Sequence, residues 1–114
     1  MGAASASHTF KDKGYSYKMS TKQVKKMKKV AKKEEYDIKR VKVSKTKNIK
    51  SYDRLKVGKT YTLNGKMKVL KFIKRHEGTG VGDSYNLYKV RQYRYMDCYV
   101  DYYKGKYTYS AYVV

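Results

Sequence analysis

The feature that most constrains this chain is the separation of its charge from its tyrosines. From Lys11 to Arg75 there are 24 Lys and Arg against 5 Asp and Glu, whereas from His76 to Val114 there are 5 against 4. Ten of the 15 tyrosines lie between Tyr85 and Tyr112. A net charge of +20 on 114 residues costs any compact state self-repulsion. The fold must therefore keep almost every cation in solvent and draw its core from sparse aliphatic residues and tyrosines. A basic half joined to a tyrosine-dense half reads as a surface that adheres, not as a pocket that catalyses. Such a charge points to a polyanionic partner: nucleic acid, acidic glycan, wall polymer or anionic membrane surface. An AT-rich genome would also raise Lys and Tyr, but it would raise Asn and Ile with them, and there are only three of each.

The length suits one domain with a modest core. Residues 1–8 read as a flexible tail or appended linker and residues 9–114 as a single α+β binding domain. The start, MGAASAS, has neither the basic nor the apolar region of a signal peptide, so the chain reads as a monomeric domain cut from a longer protein. No apolar run approaches the roughly 20 residues of a membrane-spanning helix. The single Cys98 leaves no intramolecular disulfide and no cysteine pair for a metal.

Phe10 to Met19 alternates Tyr15, Tyr17 and Met19 on one face, a first strand interrupted at Gly14. Ser20 with Gln23 three residues on forms a capping-box pattern, and Val24, Met27, Val30 and Ala31 recur at helical spacing through about Glu35. The helix opens on lysines and closes on Glu34 and Glu35, against its macrodipole. Like-charged pairs such as Lys22/Lys26 and Lys25/Lys29 cost a few tenths of a kcal/mol each. It must be held by packing on a sheet, and its lysines serve something other than helix stability.

Tyr36, Ile38, Val41 and Val43 form a strand whose change of parity near Lys39–Arg40 suggests a bulge. Ser44 to Ser51 reads as a polar connector. Asn64–Gly65 is a strong hairpin signal, and Met67 to Ile73, apolar on both faces, reads as a central strand. His76 to Ser84 is a glycine-rich loop. In the last stretch a two-residue turn at Lys104–Gly105 would pair Tyr103 with Lys106 and Tyr102 with Tyr107. Cys98, Val100, Tyr102, Tyr107, Tyr109, Ala111 and Val113 then face the core, and Tyr99 and Tyr103 face solvent. A one-residue slip would exchange the faces. The expected architecture is one basic amphipathic helix packed on a curled antiparallel sheet, or a small barrel, of five to seven strands.

Catalytic readings fare poorly. Cys98 alternates onto the apolar face, away from the exposed electropositive niche that a reactive thiol needs beside His8 or His76. Gly78 to Gly82 lacks the parallel strand, following helix and Gly-Lys-Ser/Thr of a phosphate loop. Asp97 and Asp101 are too few for a convincing acid/base pair, and no oxygen-rich cluster suggests a metal. No enzyme activity, cofactor or metal is expected. Two constellations remain: the helix lysines Lys22, Lys25, Lys26, Lys29 and Lys33 as a polyanion contact, and Tyr93, Tyr95, Tyr99 and Tyr103 as an aromatic stacking surface.

The string KMSTKQVKKMKKVAKK, followed by strands ending in YVDYYKGKYTYSAYVV, resembles the lysine- and tyrosine-rich terminal regions of adhesin-like surface proteins of methanogenic archaea. The resemblance rests on composition and cadence over about residues 15–114. It implies an extracellular or cell-surface module that attaches to anionic or neutral cell-wall polysaccharide, and it carries over no catalytic residue. Two alternatives stand beside it. One is a nucleic-acid-binding domain, with the basic helix on phosphates and the strands stacking single-stranded bases. The 24 Lys to 5 Arg argue against it, since Arg is the better bidentate reader of bases and phosphate. The other is a purely structural domain of a larger surface protein.

Overall fold

The computed structural model describes residues 6–63 and 65–114. In chain order they form strands β1 (His8–Asp12) and β2 (Tyr15–Met19), helix α1 (Thr21–Glu34), and strands β3 (Tyr36–Ser51), β4 (Thr60–Thr62), β5 (Lys66–His76), β6 (Tyr85–Tyr103) and β7 (Lys106–Val113). β1 and β2 make a two-stranded hairpin sheet. The other five strands make one antiparallel sheet ordered β3-β6-β5-β4, with β7 also paired to β6. That sheet is open, so the barrel alternative does not occur. The shared strand is β6, whose 19 residues pair with β5 over Tyr85 to Gln92 and with β7 over Met96 to Tyr103. By their contacts the residues divide into two compact units: the chain up to Val43 with Tyr95–Val114, and Ser44–Arg94.

In the first unit the helix starts where Ser20 accepts the Gln23 backbone N–H through its hydroxyl at 3.3 Å. The reciprocal half of the capping box is replaced, because the Gln23 side-chain oxygen accepts the Tyr17 hydroxyl at 3.4 Å. Val24, Met27 and Ala31 are buried. Val30, expected in the same stripe, is 38% exposed, since 100° per residue carries it about 60° past Met27, off the contact line. The helix ends at Glu35, which adopts a left-handed φ of 79°. Its carbonyl accepts the Tyr102 N–H at 2.8 Å, joining the start of β3 to β6.

The core of this unit takes Phe10, Tyr15 and Met19 from the hairpin, the three buried helix residues, Val41 and Val43 from β3, and Met96, Cys98 and Val100 from β6. Tyr102, Tyr107, Tyr109, Ala111 and Val113 pack against it, half-buried. The β6–β7 register is the expected one, with Tyr103 opposite Lys106 and Tyr102 opposite Tyr107. Lys104 and Gly105 both have positive φ (47° and 78°), the geometry of a tight hairpin turn. His8, expected in the tail, is the first residue of β1, and its ring stacks on Tyr109 at 4.2 Å; residues 1–5 of that tail lie outside the described residues. The Val113 N–H donates to Asp12 Oδ2 at 2.7 Å, tying β1 to β7.

The second unit has a smaller core of Met67, Val69, Tyr88 and Val90, with Ile49, Leu55 and Tyr61 packed against it. Ser44 to Ser51 is not a connector: it continues β3 as strand. Its lysines carry no apolar alternation, and its conformation comes from pairing with β6. The Met67–Ile73 strand is also less central than its composition suggests. β5 lies between β6 and β4 but pairs with both at Met67 and Lys68, Val69 adding backbone bonds to Gly58 and Lys59, and register shifts follow Val69 and Phe72. Those irregularities break the alternation and leave Phe72 and Ile73 exposed. β4 and β5 pair with Thr62 opposite Lys66; of the expected Asn64–Gly65 turn, Asn64 lies outside the described residues. No described helix is long and apolar enough to cross a membrane.

Candidate functional site

Successive residues of β6 alternate faces. Met96, Cys98 and Val100 point into the core of the first unit, so Tyr95, Asp97, Tyr99, Asp101 and Tyr103 share the outer face. β7 adds Tyr112, opposite Asp97, and Lys106, opposite Tyr103. The Arg40 guanidinium grips Asp97 in a bidentate pair, Nε to Oδ1 at 2.7 Å and Nη2 to Oδ2 at 3.0 Å. This contact and the Tyr102–Glu35 hydrogen bond tie the first part of β3 to β6. Tyr36 is 52% and Ile38 43% exposed.

The outcome is a row of accessible aromatic side chains on one side of one sheet. Tyr95 is 49% exposed, Tyr103 72% and Tyr112 59%. Tyr99 is half-buried, because the Tyr112 ring meets it edge to face at 5.6 Å and 82°. The Lys104 ammonium sits 5.3 Å from the centre of the Tyr103 ring. Along β6, Tyr95, Tyr99 and Tyr103 recur every four residues, about 13 Å apart.

Electrostatically this face is unlike the rest of the chain. It carries Arg40, Lys42, Lys104 and Lys106 against Asp97 and Asp101, whereas the whole chain is at +20. The hydrogen bond from Arg40, then its charge, holds the Asp97 carboxyl below the usual carboxylate range, although burial opposes the shift. The same pairing raises Arg40.

The predicted residues fall out as follows. Tyr95, Tyr99 and Tyr103 share the outer face. Tyr93 is exposed but belongs to the second unit, where its carbonyl lies against Gly65. Lys22, Lys25, Lys26, Lys29 and Lys33 are all exposed and form no ion pair among the described residues. At 100° per residue, Lys22, Lys26, Lys29 and Lys33 fall within about 60° of one another, opposite Val24, Met27 and Ala31. Lys28 leans inward, its ammonium 4.9 Å above the Tyr107 ring. Lys22 and Lys26 also border an open depression of about 600 Å³ with Met27, Val30, Ile38 and Lys39.

The helix packs on the core side of the sheet, so its lysine ridge and the tyrosine row point in opposite directions. One short stretch of ligand cannot touch both. Sequence reasoning missed the exposure of Tyr36 and Ile38, and it missed Tyr112. The hairpin alternation that exposed Tyr99 and Tyr103 also exposes Tyr112. Tyr36 and Ile38 carried no such signal, because the apolar residues of β3 all looked like core.

The other groups weighed from the sequence are placed as follows. Cys98 is buried, and that burial, helped by the Asp97 charge, pushes its thiol up to about 11. His8 and His76 each stack on a tyrosine, at 4.2 and 4.8 Å. No cluster of three or more His, Cys, Asp or Glu could hold a metal among the described residues. The Gly78–Gly82 loop joins antiparallel strands and is closed by its own bonds, Gly80 N–H to Asp83 Oδ2 at 2.9 Å and Gly78 N–H to the Ser84 hydroxyl at 3.1 Å. No protein-family model, curated protein or solved structure matches this chain.

Proposed function

We propose that this chain is a non-catalytic binding module of the cell-surface, adhesin-like type, which holds cell-wall polysaccharide on the outer face of its first unit. The observation that carries the reading is the row Tyr95, Tyr99, Tyr103 and Tyr112, whose neighbouring cations are partly offset by Asp97 and Asp101, on a chain otherwise crowded with lysine. Tyrosine offers an apolar ring and a polar tip, so such a row stacks on sugar faces while staying wetted. Its rigid strand and the Arg40–Asp97 clamp order the rings before binding, which lowers the entropy lost on association. The basic helix gives the same molecule a general attraction to anionic polymer, acting at longer range and screened by salt.

The lysine ridge favours a second reading, a nucleic-acid-binding domain. In that case binding centres on Lys22, Lys26, Lys29 and Lys33 and falls steeply with salt, with a slope that tracks the lysines engaged.

An NMR titration at low and high salt separates the two, comparing solubilised cell-wall polysaccharide with a single-stranded oligonucleotide. The module reading expects salt-resistant shifts at Tyr95, Tyr99, Tyr103 and Tyr112 with polysaccharide, lost in Tyr103→Ala. Salt-resistant shifts there with the oligonucleotide, or no response to polysaccharide at either salt, would overturn it.

A further inference from the structure

The second unit contains a cleft of about 340 Å³ lined by Arg54, Leu55, Phe72, Arg75, Asn86 and Tyr88. Cross-strand pairing builds it: Phe72 lies opposite Tyr88 and Arg75 opposite Asn86 on β5 and β6. The Phe72 and Tyr88 rings meet edge to face at 5.4 Å. Asn86 is 2% exposed. Its amide nitrogen donates to the Asp53 carbonyl at 3.3 Å and its oxygen accepts from Arg75 Nη1 at 3.1 Å.

The chain beside the cleft is held on both sides of Arg54. The Asp53 carbonyl also accepts the Ser51 hydroxyl at 2.9 Å, and the Leu55 N–H donates to the Tyr88 hydroxyl at 2.9 Å. Arg54 is thereby fixed at its backbone, yet its guanidinium has no hydrogen bond or ion pair among the described residues. Arg75 gives Nε to Glu77 Oε1 at 2.6 Å and Nη1 to Asn86, which leaves Nη2 without a partner among the described residues. Two of the chain's five arginines therefore line one cleft, in a sequence that uses lysine for 24 of its 29 cations. Arginine differs from lysine in the planar fork it presents to a carboxylate or other oxyanion, and in its weaker hydration.

We propose that this cleft binds one acidic sugar residue, its carboxylate held by Arg54 and by Nη2 of Arg75, its ring lying on Phe72 and Leu55. The volume suits a single small ligand with one apolar wall and a few convergent donors. This site uses no residue of the tyrosine row and stands independently of it.

The test is an amide NMR titration of the whole chain with glucuronate, glucose and inorganic phosphate at one ionic strength. Glucuronate should give saturable shifts at Leu55, Phe72, Asn86 and Tyr88, while glucose gives none. Arg54→Lys keeps the charge but loses the fork, and should weaken glucuronate by about tenfold or more. Tyr103→Ala should leave this affinity unchanged, which separates the cleft from the tyrosine row. Glucose binding as well as glucuronate, phosphate binding as tightly, or an unaltered affinity in Arg54→Lys would each overturn the proposal. So would the absence of saturable shifts with all three probes.

Discussion

Replacing Gly65 by alanine tests how closely the β4–β5 turn approaches β6. Gly65 has a φ of +102°, a region that costs an L-residue about 1–3 kcal/mol. An added Cβ would also stand 2.7 Å from the Tyr93 carbonyl oxygen and 3.4 Å from Arg94 Cδ and Gln92 Nε2. The oxygen belongs to the backbone of a paired strand, so it cannot swing aside as a side chain would. Opening that contact by several tenths of an ångström costs about 1–3 kcal/mol more, on the scale of overpacked interiors. Gly58 supplies the control: its φ is +89°, and its added Cβ would have nothing within 4 Å. Both alanines restrict the unfolded chain alike, so the difference between the variants isolates the contact. Urea unfolding followed by far-UV circular dichroism should show Gly65→Ala about 1–3 kcal/mol less stable than Gly58→Ala. At about 4 °C per kcal/mol, that is a further fall of roughly 4–12 °C in Tm. Equal losses in the two variants, or a milder one at Gly65, would refute the close approach to Tyr93.

Ser20→Ala removes the helix N-cap and should cost about 1 kcal/mol, read as a shift in the urea midpoint, with Ser20→Asn restoring most of it. Because Arg40 holds Asp97 below its ordinary range, the unfolded chain binds that proton more readily than the native one. The pair's contribution is thus complete above about pH 4 and fades as pH falls through the lower native value; Arg40→Met should flatten this acid limb of the stability curve. Cys98 has the opposite sign: an unfolded thiol ionises near its ordinary value of about 8.5, while the native one keeps its proton to about 11. Stability should fall as pH rises between those values, and Cys98 should resist a thiol reagent at pH 8 until the protein unfolds. Met27→Ala, at the centre of the helix contact, should cost about 2–5 kcal/mol by urea titration.

What was legible in the sequence is what neighbours along the chain decide. The Ser20 cap, the helix that follows it and the β6–β7 hairpin all depend on residues a few positions apart, where spacing dictates geometry. Alternation about the Lys104–Gly105 turn was enough to sort Cys98, Val100 and Tyr102 inward and Tyr99 and Tyr103 outward, since the side-chain period of a strand is two. The tertiary structure decided the rest. Ser44–Ser51 became strand because β6 supplies its partners. Arg40 was brought to Asp97, 57 residues away, which no local spacing foretold. Above all, the sequence joined the lysines and tyrosines only in composition. Packing the helix on the inner side of the sheet sends the lysine ridge and the tyrosine row to opposite sides, because a sheet has two faces and its core can occupy only one of them.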